Sequence, residues 1–377
     1  MTDRRPPRPI HYSVSHIKPT HVTPRTGTPG PDVPRRTRGL RLETATAKSW
    51  FSLAACAAVL LMTLTFAYGT SSPRWHTAAP ALKLATTTKT PHRRVAPAKA
   101  PAAPAAVAAD PSNPCAAGSV LTTVAHEDDD ILFMNPDLQQ EITAGMCIRT
   151  VYLTAGDDGQ PVGYWQEREQ GPDAAYALMA GLPDQWDHAT ADVGGHALDI
   201  HTLVGRPQIS LVFMHLPDGN LAGEGFPSTG YQSLKKLRVG EITDMHTIDN
   251  TDDYTASQLV QELAALIALA KPTIVNTQAS SPSLAAGDHS DHQAVGYFTG
   301  EALALYHDTA QVHRYIGYQS GTRAPNLTAQ QAAAKQDIFA AYKQDDLMIC
   351  SVKDGCFNDT TYRNYLSREY QQTAADN

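Results

Sequence analysis

Five cysteines in 377 residues are too few for a small disulfide-stapled scaffold, and none stands in a C-x-x-C pair of the kind that marks a zinc-thiolate site. Positive charge is scarce where the chain reads as folded. Residues 115–377 hold 14 Lys and Arg against 34 Asp and Glu, although the whole chain has 30 against 38 and a formal net charge of −8. Such a domain repels phosphate backbones, which argues against nucleic acid as a partner. No internal repeat is visible. A hydrophobic share of 42% excludes a wholly disordered chain.

Only one uncharged run is long enough to cross a bilayer. Residues 49–69 carry no charge, and as a helix they would be about 30 Å long. Trp50 and Tyr68 lie near its ends, where amphipathic rings favour the membrane interface. Ten bases against three acids in residues 1–48 orient that end to the cytoplasm and everything after residue 69 to the outside. Cleavage after Gly69, with Ala67 at the −3 position, is the alternative. Forty-eight preceding residues are long for a cleavable signal, so an uncleaved anchor is preferred. Residues 1–48 then form a disordered basic cytoplasmic tail with anionic lipid as its partner, and residues 70–114 a Pro/Ala-rich extracytoplasmic linker.

From Cys115 onward the texture is globular. Apolar, β-rich runs at Val120–Val124, Ile148–Leu153, Ile209–Met214, Thr273–Val275 and Tyr315–Tyr318 predict strands. Leu259, Leu263, Leu266, Ile267 and Ala270 share one helical face that Pro272 terminates. Strand–helix alternation over residues 115–377 predicts an α/β domain with a parallel sheet, whose ligands bind beyond the carboxyl ends of the strands. Of the four cysteines in this region, Cys350 and Cys356 bracket a short loop and are expected to pair. Cys115 and Cys147 each precede a predicted strand and would form the second disulfide.

Strand one runs into Ala125-His126-Glu127-Asp128-Asp129-Asp130. His126 and Asp129 are spaced to meet on one cation, and three successive carboxylates repel one another unless compensated. The spacing itself is cheap, since His196/Asp199, His215/Asp218 and His246/Asp249 repeat it, and a solvated acidic turn is the plain alternative. The second constellation, Asp288-His289-Ser290-Asp291-His292, is rarer: H-x-D-H occurs nowhere else in the chain. It offers one metal ligand, one acid/base group and one orienting partner, against the alternative of a surface helix start. Both constellations follow strands that can be parallel neighbours. Two imidazoles and a carboxylate would leave open coordination positions, as in a hydrolytic rather than a structural zinc site.

These paired motifs resemble those of the PIG-L/LmbE-like zinc deacetylases, which remove acetyl groups from N-acetylglucosamine units and carry His-Pro-Asp-Asp-Glu after the first strand and His-x-Asp-His later. The likeness runs across most of residues 115–377. Softer matches to the secreted bacterial branch are Phe133-Met-Asn-Pro-Asp, Val151-Tyr-Leu-Thr-Ala-Gly-Asp-Asp-Gly, Arg168-Glu169 and Leu216-Pro-Asp-Gly-Asn. The resemblance implies a Rossmann-like parallel β-sheet flanked by helices and one Zn²⁺ per domain, held by His126, Asp129 and His292. It makes Asp128 the general base and His289 the donor near the oxyanion and the departing amine. Asp291 would hold an imidazole in its working tautomer, and Arg168 and Asp218 would hold the substrate. Glu127 stands where the family usually has Pro, Asp130 where it has Glu, and Ser290 where Pro is common.

The reading is a membrane-anchored, extracytoplasmic zinc hydrolase acting on a carbohydrate or glycoconjugate, most simply removing N-acetyl groups. A zinc amidase for another acylated conjugate and a catalytically silent glycan-binding module are the rivals. Asp157 and Asp158, Tyr164 and Trp165 are candidate pocket residues, with a plain turn and core packing as their alternatives. His215 reads as a structural hydrogen-bonder, and His196 and His246 as surface or core residues.

Overall fold

The structure is a computed structural model and describes residues 114–306, 309–346, 348–349 and 360–376. The expected tail, membrane anchor and nearly all of the linker lie outside the described residues, as do Cys350 and Cys356. Among the described residues no helix is long and apolar enough to cross a membrane.

The first half contains β1 (Ser119–Val124), α1 (Asp129–Phe133), α2 (Asp137–Thr143), β2 (Cys147–Thr154), α3 (Tyr164–Arg168), α4 (Gln170–Ala180), β3 (Trp186–Val193), β4 (His196–Leu203) and β5 (Ile209–Leu216). The second contains α5 (Leu234–Val239), β6 (Asp244–His246), β7 (Asp253–Thr255), α6 (Ala256–Ala270), β8 (Ile274–Gln278), α7 (Ser290–Tyr306), β9 (Gln311–Tyr315), α8 (Ala329–Tyr342) and α9 (Thr360–Leu366).

Seven strands form one sheet in the order β3-β4-β5-β2-β1-β8-β9, and β6 pairs with β7 as a separate ribbon. The five strands from β5 to β9 across the sheet are parallel. Their alternation sends successive side chains to opposite faces. Val120, Val124, Tyr152 and Phe213 join a core with α1, α2, α4 and α8; Leu121, Val151, Val212 and Val275 join one with α6 and α7. The helical face read from the sequence is the buried face of α6: Leu259, Leu263, Leu266 and Ile267 are inaccessible. Thr255 starts that helix with a capping box to Gln258.

Two expectations about the sheet change. It is mixed, because β3 and β4 form a hairpin antiparallel to each other and to β5. Val193 pairs with His196, so Gly194 and Gly195 are the whole turn, and both have the positive φ that a two-residue hairpin of this hand requires. Only Val193 of β3 is buried, so this edge strand offered no apolar run to read. The last strand spans Gln311–Tyr315 rather than Tyr315–Tyr318, and the chain beyond it turns inward to place Tyr318 at the site. Cys115 and Cys147 are bonded, tying the start of the described chain to the base of β2 beside β1.

Candidate active site

The chain leaves β1 through Ala125 and enters α1 at Asp129, and the three carboxylates on this turn go three ways. Asp128 receives Arg168 Nη2 at 2.8 Å. Asp129 turns back to accept the His126 backbone N–H at 2.7 Å and lies between the His126 and His292 imidazoles. Asp130 points into the core and accepts from the Tyr152 and Tyr176 hydroxyls. The repulsion expected of the run is thus relieved by an arginine, two imidazoles and two phenols. Burial raises the Asp130 carboxyl to about 7 despite its phenol partners.

The second constellation comes from the β8–α7 connection and meets the first across adjacent parallel strands. His292 is inaccessible; its Nδ1 lies 2.8 Å from Asp288 Oδ1, and Nε2 lies 2.9 Å from Asp129 Oδ1 without a hydrogen bond. Asp288 is itself fixed by the backbone N–H groups of His289 and Tyr318, each at 3.0 Å. It lacked a role in the sequence reading, although its i, i+4 spacing to His292 was visible. A Cβ at Gly317 would lie 2.6 Å from both Asp288 Oδ1 and His292 Nδ1, which explains a glycine there.

The donor atoms of His126, Asp129 and His292 lie within 4.8 Å of one another, and all three residues are buried. Nε2 of both imidazoles has no hydrogen-bond partner. His292 Nε2 faces Asp129, and His126 Nε2 faces Asp218 and Asp291, each at 3.6 Å, while His126 meets Asp129 through Nδ1 at 3.3 Å. Unpartnered buried nitrogens beside carboxylates fit a divalent ion, because leaving them without any partner is costly. Burial works against charging these histidines, yet Asp129 and Asp288 push His292 up to about 10. Burial alone would raise Asp129, but His292 and His126 hold it well below its usual range. A cation between them would supply the positive charge that these carboxylates otherwise draw from protonated imidazoles.

His289 differs. Burial and the neighbouring His126 lower it to about 4, so the ring is neutral near pH 7. The Asp291 backbone N–H donates to its Nδ1 at 3.2 Å, which places the ring proton on Nε2. That nitrogen lines the cleft, 3.6 Å from Asp218 Oδ1. Asp291 therefore sets a tautomer, but through its backbone. Its carboxylate accepts from Gly219 N at 2.7 Å and approaches His126 and His289 only to 3.6 and 3.7 Å.

Arg168 also lines the cleft, with its guanidinium engaged by protein groups. It is buried, and its guanidinium is occupied by Asp128, by Glu127 at 3.2 Å, by Asp346 at 3.0 Å and by the Gly156 carbonyl at 2.7 Å. The Tyr342 hydroxyl accepts from its Nε at 2.8 Å and donates to Asp346. Asp346, more than two hundred residues from Asp128 in sequence, gave no signal in the pattern. Glu127 points at Arg168, and burial lifts its carboxyl to about 8. Burial raises Asp128 as well, against the pull of Arg168.

The cleft has a volume of about 300 Å³ and is lined by His126, Asp128, Asp218, His289 and Tyr318, among others. Asp218 is buried and positioned by the Asp157 carboxylate, which accepts from its backbone N–H at 2.8 Å. Asp158 and Tyr164 also line the cleft, whereas Trp165 packs on His215 with ring centroids 4.9 Å apart. His215 contacts Glu169 at 2.7 Å and Asp249 at 3.4 Å; His196 pairs with Asp252 and stacks on Tyr254.

Residues 121–303 match the family model described as PIG-L, GlcNAc-PI de-N-acetylase. The chain carries a PIG-L domain. This domain is an N-deacetylase-type hydrolase, and it contains both histidine constellations. No curated protein matches the chain. Among solved structures, a conserved protein of Thermus thermophilus is 16% identical, with 68% of this chain and 92% of that one covered and a TM-score of 0.36. A deacetylase of the teicoplanin biosynthetic pathway is 13% identical over 65% and 88% of the two chains, with a TM-score of 0.38. The N,N'-diacetylchitobiose deacetylase of Pyrococcus horikoshii is 13% identical over 60% and 70%, with a TM-score of 0.32.

Proposed function

We propose that this PIG-L domain is a Zn²⁺-dependent hydrolase that removes N-acetyl groups from GlcNAc-containing glycans or glycoconjugates. The reading rests on one convergence: a carboxylate presented by arginine, a neutral imidazole with its proton facing the cleft and the unpartnered His126 Nε2 line one small cavity, and the unpartnered His292 lies behind His126 with ring centroids 5.5 Å apart. Two imidazoles and a carboxylate suit zinc better than magnesium or calcium. His126, Asp129 and His292 would hold the ion, which when bound would supply Lewis-acid polarisation of an amide carbonyl and a lowered pKa for water beside it.

The chain's own residues supply the rest. Arg168 holds Asp128 by one oxygen, and Asp128 takes the proton of the attacking water. As the new C–O bond forms, His289 Nε2–H donates to the carbonyl oxygen that gains charge. When the C–N bond breaks, the proton held by Asp128 goes to the departing amine, leaving acetate and a free amino sugar. Asp218 is placed to accept from a sugar hydroxyl. A cleft of about 300 Å³ lies at the lower end of small-molecule sites, so one sugar residue enters it and the remainder lies outside.

We also place the domain outside the cytoplasm, on an anchor at residues 49–69 and a stalk at residues 70–114, within the secreted bacterial branch. Charge asymmetry and the accessory segments support this placement. The substrate is then a surface glycan or an external sugar. Purified full-length protein, stripped with a chelator and reloaded with Zn²⁺, tests the reaction on a panel of N-acetylglucosamine compounds. Acetate release that depends on the metal is expected. Bound zinc without acetate release points to a different acyl amide, and no bound metal removes the hydrolase reading.

A further inference from the structure

A second cleft, of about 510 Å³, lies where the β3–β4 hairpin meets α3 and α4. Its lining includes the carboxylates of Glu169, Asp173, Asp184 and Asp199 and the imidazoles of His188 and His201, with no lysine or arginine among the described residues. His188 and His201 are direct cross-strand partners, so their side chains share one face, and their ring centroids are 3.8 Å apart. His201 Nδ1 lies 3.0 Å from each oxygen of Asp173, which reaches across from α4. Asp173 is 5% and His201 8% exposed, whereas His188 is open to solvent. The donor atoms of all three fall within 4.8 Å of one another.

Two facing imidazoles and a buried carboxylate form an N₂O donor set, which suits a divalent transition ion. The hairpin also has use for a tether, because β3 buries only Val193. We infer that His188, His201 and Asp173 form a second transition-metal site that clips the β3–β4 hairpin to helix α4. Three protein ligands leave a position facing the cleft for water or another of its carboxylates. The site shares no residue with the proposed catalytic centre and stands whether or not that centre deacetylates sugars.

The test is Co²⁺ binding to the chelator-stripped full-length protein, read by equilibrium dialysis and visible d–d absorption. Wild type should bind two ions per chain. His188→Ala, and His188→Asn as its milder companion, should bind one while acetate release is unchanged. A His126→Ala/His292→Ala double variant should retain one ion, and its thermal midpoint should rise on adding Zn²⁺. Both His188 variants binding as many ions as wild type, or no ion in the double variant, overturns the site; one ion in wild type that the His188 variants lose faults the catalytic metal instead.

Discussion

The two clefts are built from the same side chains, histidine and aspartate, but only one is assembled for chemistry. In the catalytic cleft the groups arrive from the ends of parallel strands: His126 to Asp129 follow β1, Asp218 follows β5 and His292 follows β8. Two imidazoles there are fixed by hydrogen-bond partners, His292 by Asp288 and His289 by the Asp291 backbone. A buried arginine serves as internal counter-ion. In the hairpin cleft the histidines meet by strand register, one is exposed, and among the described residues no lysine or arginine lines the surface. Parallel strand ends gather residues far apart in sequence; a hairpin pairs what lies opposite in register, and here α4 adds Asp173 to it.

The sharpest way to break this contrast is to remove the counter-ion. Arg168→Met leaves Glu127, Asp128 and Asp346 without their shared partner, and losing one member of a buried charge cluster costs about 3–5 kcal/mol. Urea midpoints should fall accordingly, and kcat should drop more than KM rises. Removing an orienting partner is milder. Asp288→Asn should weaken zinc affinity by about 10–100-fold, measured by competition with a chelating dye. Gly317→Ala should act in the same direction with a smaller effect, because the added Cβ crowds the same Asp288–His292 pair.

The smallest effect sharpens the boundary between the clefts, where His215 joins Glu169 to Asp249. Burial alone would lower the His215 pKa, but these carboxylates push it up to about 10. A raised histidine stabilises the fold fully below its unfolded value near 6.5, and that contribution fades as pH rises toward 10. The Tm deficit of His215→Gln should therefore be largest at pH 6 and shrink at pH 10. A deficit that grows with pH would contradict the assignment.

How far the sequence reveals each cleft follows from how it is built. Local patterns expose the catalytic turn and Asp288-His289-Ser290-Asp291-His292, because their members are close in the chain. Apolar runs expose the parallel strands, since those are buried on both faces. Strand β3 escaped notice because its solvent-facing residues are polar, although Gly194-Gly195 marked its turn. Asp346 and Tyr342 could not be found from pattern, because only the packing of α8 brings them to Arg168. The same packing engages Arg168, which lines the cleft where a sugar contact is expected, with Asp128 as well.

The account depends most on Asp128, which should move a proton without holding the metal. The direct measurement is zinc content together with acetate release for Asp128→Asn in the full-length protein. The variant should bind as much zinc as wild type and lose about 10²–10⁴-fold in kcat. Turnover near the wild-type value, or loss of the zinc, would contradict that role.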